Sequence, residues 1–166
     1  MSSATQLPEL SPHVCEVIDT WLKKFPDDRK RSAVIAALHA VQHENQGYLT
    51  EPLMTAVAQY LDLPAIQVFE VAAFYSMFET KPVGRHSVSF CTNISCMLRG
   101  SDDLLAHAER RLGIKQGETT ADGRIYLKPE WECLAACDGG PMMMVDHRYH
   151  ENLTPERVDE ILDALE

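Results

Sequence analysis

Four of the five cysteines in this chain fall in two short segments. "CTNISCMLRG" carries Cys91 and Cys96 with four residues between them, and "CLAACDGG" carries Cys133 and Cys137 with three. Paired thiols staple a fold, exchange electrons as a dithiol, or bind metal, and each use asks for its own spacing. Disulfides belong to oxidising compartments. The opening stretch "MSSATQLPELSPHVCEVIDT" has no basic segment leading into an apolar run, and none of the arginine-rich character of a transit peptide. A soluble, cytoplasmic chain is expected, where clustered cysteines bind metal or do redox work more often than they staple. A redox dithiol takes the form C-x-x-C at a helix start, and neither pair has it. A four-cysteine zinc site pairs its ligands two to four residues apart, so both pairs here are loose for one. A two-iron, two-sulfide cluster spreads four thiolates around a larger rhomb and tolerates wider spacing. The plant-type arrangement, three cysteines on one loop, is absent. Spacing favours the two-iron cluster and leaves zinc open.

The neighbouring residues point the same way. Asn93, Ser95, Gly100, Gly139 and Gly140 are small or polar, so backbone N–H groups can approach sulfur and stabilise added negative charge. Met97, Leu98, Pro141 and Met142 are candidates to exclude water, although plain strand packing is expected for two of Met142–Met144. Phe90 and Trp131 are expected in the core. Cys15 has no cysteine nearby and reads as a structural thiol. His39 and His43 share a helix face without a third ligand, so an exposed polar face is expected, and a hydrogen bond at a strand start is expected for His86.

The elements that must carry these residues change character part-way along the chain. The first half reads as helices. One lies near residues 11–24. A second runs through "DDRKRSAVIAALHAVQHENQGYL" with a stripe of Val34, Ile35, Leu38 and Val41. A third is capped by Thr50 with Pro52 in its first turn. A fourth, "PAIQVFEVAAFYSMF", is apolar on nearly every side and is expected to be the buried centre of the bundle, with Phe69, Phe74, Tyr75 and Phe78 on its aromatic face. Pro82 and Gly84 break the pattern, which predicts a helical domain over 1–80 and a second domain over 81–166. The second domain reads β-α-β-β-β-α. "HSVSFC" is a half-buried strand, and Ser101 is expected to cap a helix with the stripe Leu104, Leu105, Ala108 and Leu112. "DGRIYLKPEW", "PMMMV" and "RYHEN" are strands, and Thr154-Pro155 starts a last helix. The fold class is therefore α+β. If the first two strands are neighbours, their C-terminal ends deliver both cysteine segments to one sheet edge, where ligand sites of α/β sheets lie.

Composition narrows the function. The chain has 166 residues and a net charge of −10, with no basic patch, so nucleic acid is excluded as an expected partner. The longest apolar stretch, around "SAVIAALHAV", is about half of what spans a bilayer, so no membrane insertion is expected. No G-x-G-x-x-G or P-loop is present, so nucleotide chemistry is expected on a partner.

"GRHSVSFCTNISCMLRG" followed by "WECLAACDGGPMMMV" closely resembles the thioredoxin-like two-iron ferredoxin subunits of NADH:quinone oxidoreductase, respiratory complex I. The resemblance continues upstream through "ALHAVQHENQGYL", "VFEVAAFYSMF" and "KPVGRH", covering the chain from about residue 15 to its end. It implies a thioredoxin-like second domain and one [2Fe-2S] cluster ligated by Cys91, Cys96, Cys133 and Cys137. It implies docking beside a flavoprotein subunit that binds NADH and FMN, among other peripheral-arm subunits on the cytoplasmic side of the inner membrane. Single-electron exchange with that FMN is the implied role, with no complete active site on this chain alone. The equivalent subunit of an NAD-linked hydrogenase or formate dehydrogenase is the alternative.

Overall fold

The structure is a computed structural model that describes residues 7–130 and 132–166; Trp131, expected in the core, lies outside them. The chain divides into two compact units, one reaching to Pro82 and the other running from Val83 to Glu166.

In the first unit, Ser11 starts helix α1 (Pro12–Leu22) by accepting the Val14 N–H on its hydroxyl at 3.1 Å, with Pro12 in the first turn. The acidic stretch expected to begin one long helix instead forms a separate 3₁₀ segment, Asp27–Ala33. Its backbone leaves helical geometry at Arg29 (φ −118°, ψ 32°), and α2 (Val34–Glu44) starts only after it. Val34, Leu38 and Val41 of the expected stripe are buried, whereas Ile35 is exposed. His43 is exposed as expected, but His39 is half-buried, its ring 5.0 Å from that of Phe78. Thr50 caps α3 (Glu51–Leu61), accepting the Leu53 N–H at 3.4 Å.

Helix α4 (Ala65–Phe74) departs from expectation. Only Val68 and Ala72 are buried, while Ile66 is 65% and Phe74 79% exposed, and Tyr75 is exposed too. The helix stops at Phe74 because Tyr75 turns extended (φ −88°, ψ 124°), so Phe78 reaches the core from beyond it. The apolar composition invited burial all round, yet α4 packs on α2 and α3 along one side only.

The second unit comprises β1 (His86–Phe90), α5 (Ile94–Met97), α6 (Ser101–Leu112), β2 (Ile125–Lys128), β3 (Met143–Val145), β4 (Arg148–His150) and α7 (Pro155–Asp163). This is the expected order with one short helix, α5, added inside what reads as a loop. The sheet runs β2-β1-β3-β4. β1 pairs parallel with β2, Val88 opposite Leu127, and antiparallel with β3, Val88 opposite Val145. Asp146 and His147, both at positive φ (46° and 69°), turn β3 into β4. Central placement buries β1 on both faces, Ser89 included, rather than on one.

Val88, Phe90, Ile125, Leu127, Met143 and Val145 form a core with Leu104 and Ala108 of α6 and Val158, Ile161 and Leu162 of α7. The alternation of side chains along β3 sends Met142 and Met144 to a separate cluster, packed with Cys91, Cys96, Leu134 and Ala136. Ser101 does not cap α6: Gly100 occupies that position at φ 88°. The Ser101 hydroxyl instead donates to the Cys91 carbonyl at 2.5 Å, drawing α6 onto the end of β1.

Candidate metal centre

Cys91 follows β1 directly. Its N–H donates to the Met142 carbonyl at 3.2 Å, continuing the ladder between β1 and the approach to β3. Asn93 caps α5 by accepting the Ile94 N–H on its own side-chain oxygen at 3.3 Å, and Cys96 lies within that short helix. Both thiols of this first loop are buried, at 2% and 1% exposure. The second loop leaves the parallel partner β2, so both loops meet at one edge of the sheet. Its thiols, Cys133 and Cys137, are exposed, and their sulfurs lie 3.5 Å apart. Between them Ala135 adopts φ 62°, which turns its N–H onto the Cys133 sulfur at 3.4 Å.

The two loops face each other through their sulfurs. Burial pushes the Cys96 thiol up to about 11, helped by its hydrogen bond with Cys91 and by the charges of Cys91 and Cys137; the Met142 N–H pulls the other way. The Ala135 N–H holds Cys133 below the ordinary thiol value, with hydrogen bonds to Cys137 and Cys91 adding to it. Cys133 in turn raises Cys137. Neighbouring thiolates repel, so the set can shed its protons together only against a bound cation.

Of the expected close approaches, one reaches sulfur. A Cβ on Gly140 would sit 3.1 Å from the Cys96 sulfur, a tight contact that the thiol would have to relieve by shifting a few tenths of an ångström. Gly139 backs onto the Glu151 side chain instead, and Gly100 faces open space. Met142 shields the buried thiols as expected, whereas Met97 and Leu98 are exposed and do not. Cys15 lies in the first unit, its sulfur 3.9 Å from the Leu10 carbonyl oxygen. His86 bonds Asp146 and the Glu166 carbonyl at the strand start, as expected of it.

Among the described residues, no group of three or more His, Cys, Asp or Glu side chains is gathered closely enough to hold a metal ion. The cysteines form two pairs, one buried and one open. Two thiolates on one tetrahedral metal lie about 3.8 Å apart for metal–sulfur bonds of about 2.3 Å, close to the Cys133–Cys137 separation. Together with the N–H groups aimed at sulfur, this is the donor set that a [2Fe-2S] cluster requires.

Two side chains of the first loop make three hydrogen bonds to the second that the sequence reading did not foresee. Ser95 donates to the Cys137 carbonyl at 3.2 Å, and Arg99 donates to the Asp138 and Gly140 carbonyls at 2.9 and 3.1 Å.

The thioredoxin-like [2Fe-2S] ferredoxin family matches residues 18–166. The chain belongs to this family. One [2Fe-2S] cluster is accordingly its cofactor. Among curated relatives of this ferredoxin, the E-type subunit of the NADH-quinone oxidoreductase of Rickettsia bellii (strain RML369-C) is 42% identical over 144 residues, 87% of this chain and 86% of the relative. The E-type NADH-quinone oxidoreductase subunit numbered 2 in Rhizobium meliloti (strain 1021) is 44% identical over 150 residues, 90% and 87% of the two chains. Among solved structures, an NAD⁺-reducing [NiFe]-hydrogenase in the air-oxidised state superposes with a TM-score of 0.65 at 24% identity. That match spans 76% of the ferredoxin and 22% of the hydrogenase chain, and speaks to the fold alone.

Proposed function

We propose that this ferredoxin is the electron-transfer subunit of an NADH:quinone oxidoreductase, with Cys91, Cys96, Cys133 and Cys137 as the ligands of its cluster. The observation that carries the ligand assignment is the meeting of two thiol pairs at the shared edge of β1 and β2. A bound [2Fe-2S] cluster supplies one-electron chemistry. The protein's part is to orient the sulfurs, to aim the Ala135 and Met142 N–H groups at them, and to bury one pair while leaving the other open. The open pair suits exchange with a docked redox partner, which we assign as the FMN of a flavoprotein subunit that also binds NADH.

Residues 81–166 form the ferredoxin domain in this reading, and 1–80 a helical domain for contacts within the complex. The complex places the chain on the cytoplasmic side of the inner membrane, peripheral to it. No helix among the described residues is long and apolar enough to cross a membrane. The alternative reading, the equivalent subunit of an NAD-linked hydrogenase, has only a fold likeness at 24% identity behind it, against 42% and 44% for the quinone oxidoreductase relatives.

Purification of the native complex through this chain tests the assignment. The expected result is co-purification with an FMN protein that oxidises NADH, with about two irons and two sulfides on this chain. Stoichiometric zinc without sulfide would sink the cluster assignment, and a nickel-bearing partner would move the chain to the hydrogenase reading.

A further inference from the structure

Every carbonyl oxygen of the second cysteine loop from Cys137 to Met142 accepts a hydrogen bond. Backbone N–H groups take three of them: Asn152 at Gly139, Leu153 at Pro141, and Cys91 at Met142. The others are held by side chains from the first loop, Ser95 at Cys137 and Arg99 at both Asp138 and Gly140. A carbonyl oxygen carries the negative end of its peptide dipole, so one turned toward a thiolate site opposes the charge gathered there. In the Pro141–Met142 peptide the carbonyl is tied to the Leu153 N–H, and the N–H end of the same unit, that of Met142, faces the Cys96 sulfur.

Arg99 occupies a particular place in this arrangement. Its own N–H bonds the Cys96 carbonyl at 3.0 Å, so it is fastened to the turn that carries a buried thiol. Its guanidinium then grips Gly140, the residue whose backbone lies against the Cys96 sulfur. It is also the only basic residue within 91–100 and 133–142. The planar guanidinium fixes the directions of the two N–H groups on the nitrogen that serves both carbonyls, whereas the three donors of a lysine ammonium turn freely on a flexible stem.

We infer that Arg99 is the positioning residue of the cysteine centre, its forked bonds to Asp138 and Gly140 holding the two loops in register and its charge offsetting the negative charge of the reduced site. This rests on the cluster reading above.

The test compares wild type with Arg99→Met, Arg99→Lys and Ser95→Ala, each purified with its cluster. The measurements are iron and sulfide content, midpoint potential by EPR-monitored titration, and the rate of iron loss to a chelator. Arg99→Met is expected to shift the potential downward and to lose iron several-fold faster. Arg99→Lys is expected to recover part of the potential, because the charge remains, while iron loss stays fast because the fork is gone. Ser95→Ala, which frees one neighbouring carbonyl, is expected to speed iron loss less. A cluster-bearing Arg99→Met protein that matches wild type in potential and iron loss overturns the inference alone. So does Arg99→Lys restoring both in full, since charge would then suffice. Wild type without iron and sulfide overturns the cluster reading and this inference together. If Arg99→Met holds no iron, hydrogen exchange in the cluster-free chain reads the brace directly. Faster exchange across residues 137–142 than in cluster-free wild type supports it, and equal exchange overturns it.

Discussion

At the scale of single residues, the centre depends on thiols that differ in their readiness to lose a proton. Cys96 resists because it is buried, while Cys133 is helped by a backbone N–H. On the proposed ligand assignment none of the four replaces another, since each sulfur would occupy one corner of the donor set. Replacing any one of Cys91, Cys96, Cys133 or Cys137 by Ser is expected to remove most of the iron, whereas Cys15→Ser retains it, as read by iron and sulfide analysis of the purified variants. Equal iron in the Cys96 and Cys15 variants would contradict the ligand assignment. The residue types were legible because thiol pairs are rare and their spacing carries meaning. Arg99 and Ser95 were not, because an arginine or serine near a cysteine usually faces solvent and only tertiary contacts reveal its acceptors.

At the scale of elements, the pairing of β1 with β2 decides whether the loops meet. Gly84 sits at the approach to that pair: a Cβ there would lie 2.7 Å from the Tyr126 nitrogen and 2.8 Å from the Ile125 carbonyl carbon, both backbone atoms that cannot step aside. Gly84→Ala is expected to destabilise the fold by about 1–3 kcal/mol, as measured by denaturant unfolding. At the start of β1, His86 donates to Asp146 across 2.6 Å, and Asp146 also accepts the Ser87 N–H at 2.8 Å. The Asp146 hydrogen bond raises the His86 pKa, partly opposed by burial. A raised histidine pKa contributes stability that is full below the unfolded value near 6.5 and fades as pH rises through the folded value. The ring and carboxylate are partly exposed, so the contribution is about 0.5–1 kcal/mol. His86→Gln is therefore expected to lower the melting temperature more at pH 6 than at pH 9; an equal loss at both would remove the ion pair from the explanation. Helix caps such as Thr50 and Thr154 were readable because a cap is settled within four residues. The role of Ser101 was not, because its preferred acceptor comes from another element.

At the scale of the whole molecule, each unit shows apolar side chains to solvent: Ile66, Phe74 and Tyr75 at and beyond α4 in one, Ile94 and Leu98 beside the cysteines in the other. Such side chains contribute little to the stability of the chain by itself and suit a protein that works inside a complex. Phe74→Ser is expected to leave stability within about 0.5 kcal/mol of wild type by thermal melting and to raise the soluble fraction of the chain expressed alone. A large loss of stability would return Phe74 to the core, where the apolar composition of its helix suggests it belongs. Periodicity and capping, which act over one or two turns, determined from the sequence alone that helices precede a unit of strands and helices and that two thiol pairs follow strands. Burial is a property of surfaces that meet, so only the tertiary structure decided that α4 keeps an open face. The same holds for the parallel pairing that joins the two cysteine loops and for the reach of Arg99 from one loop to the other.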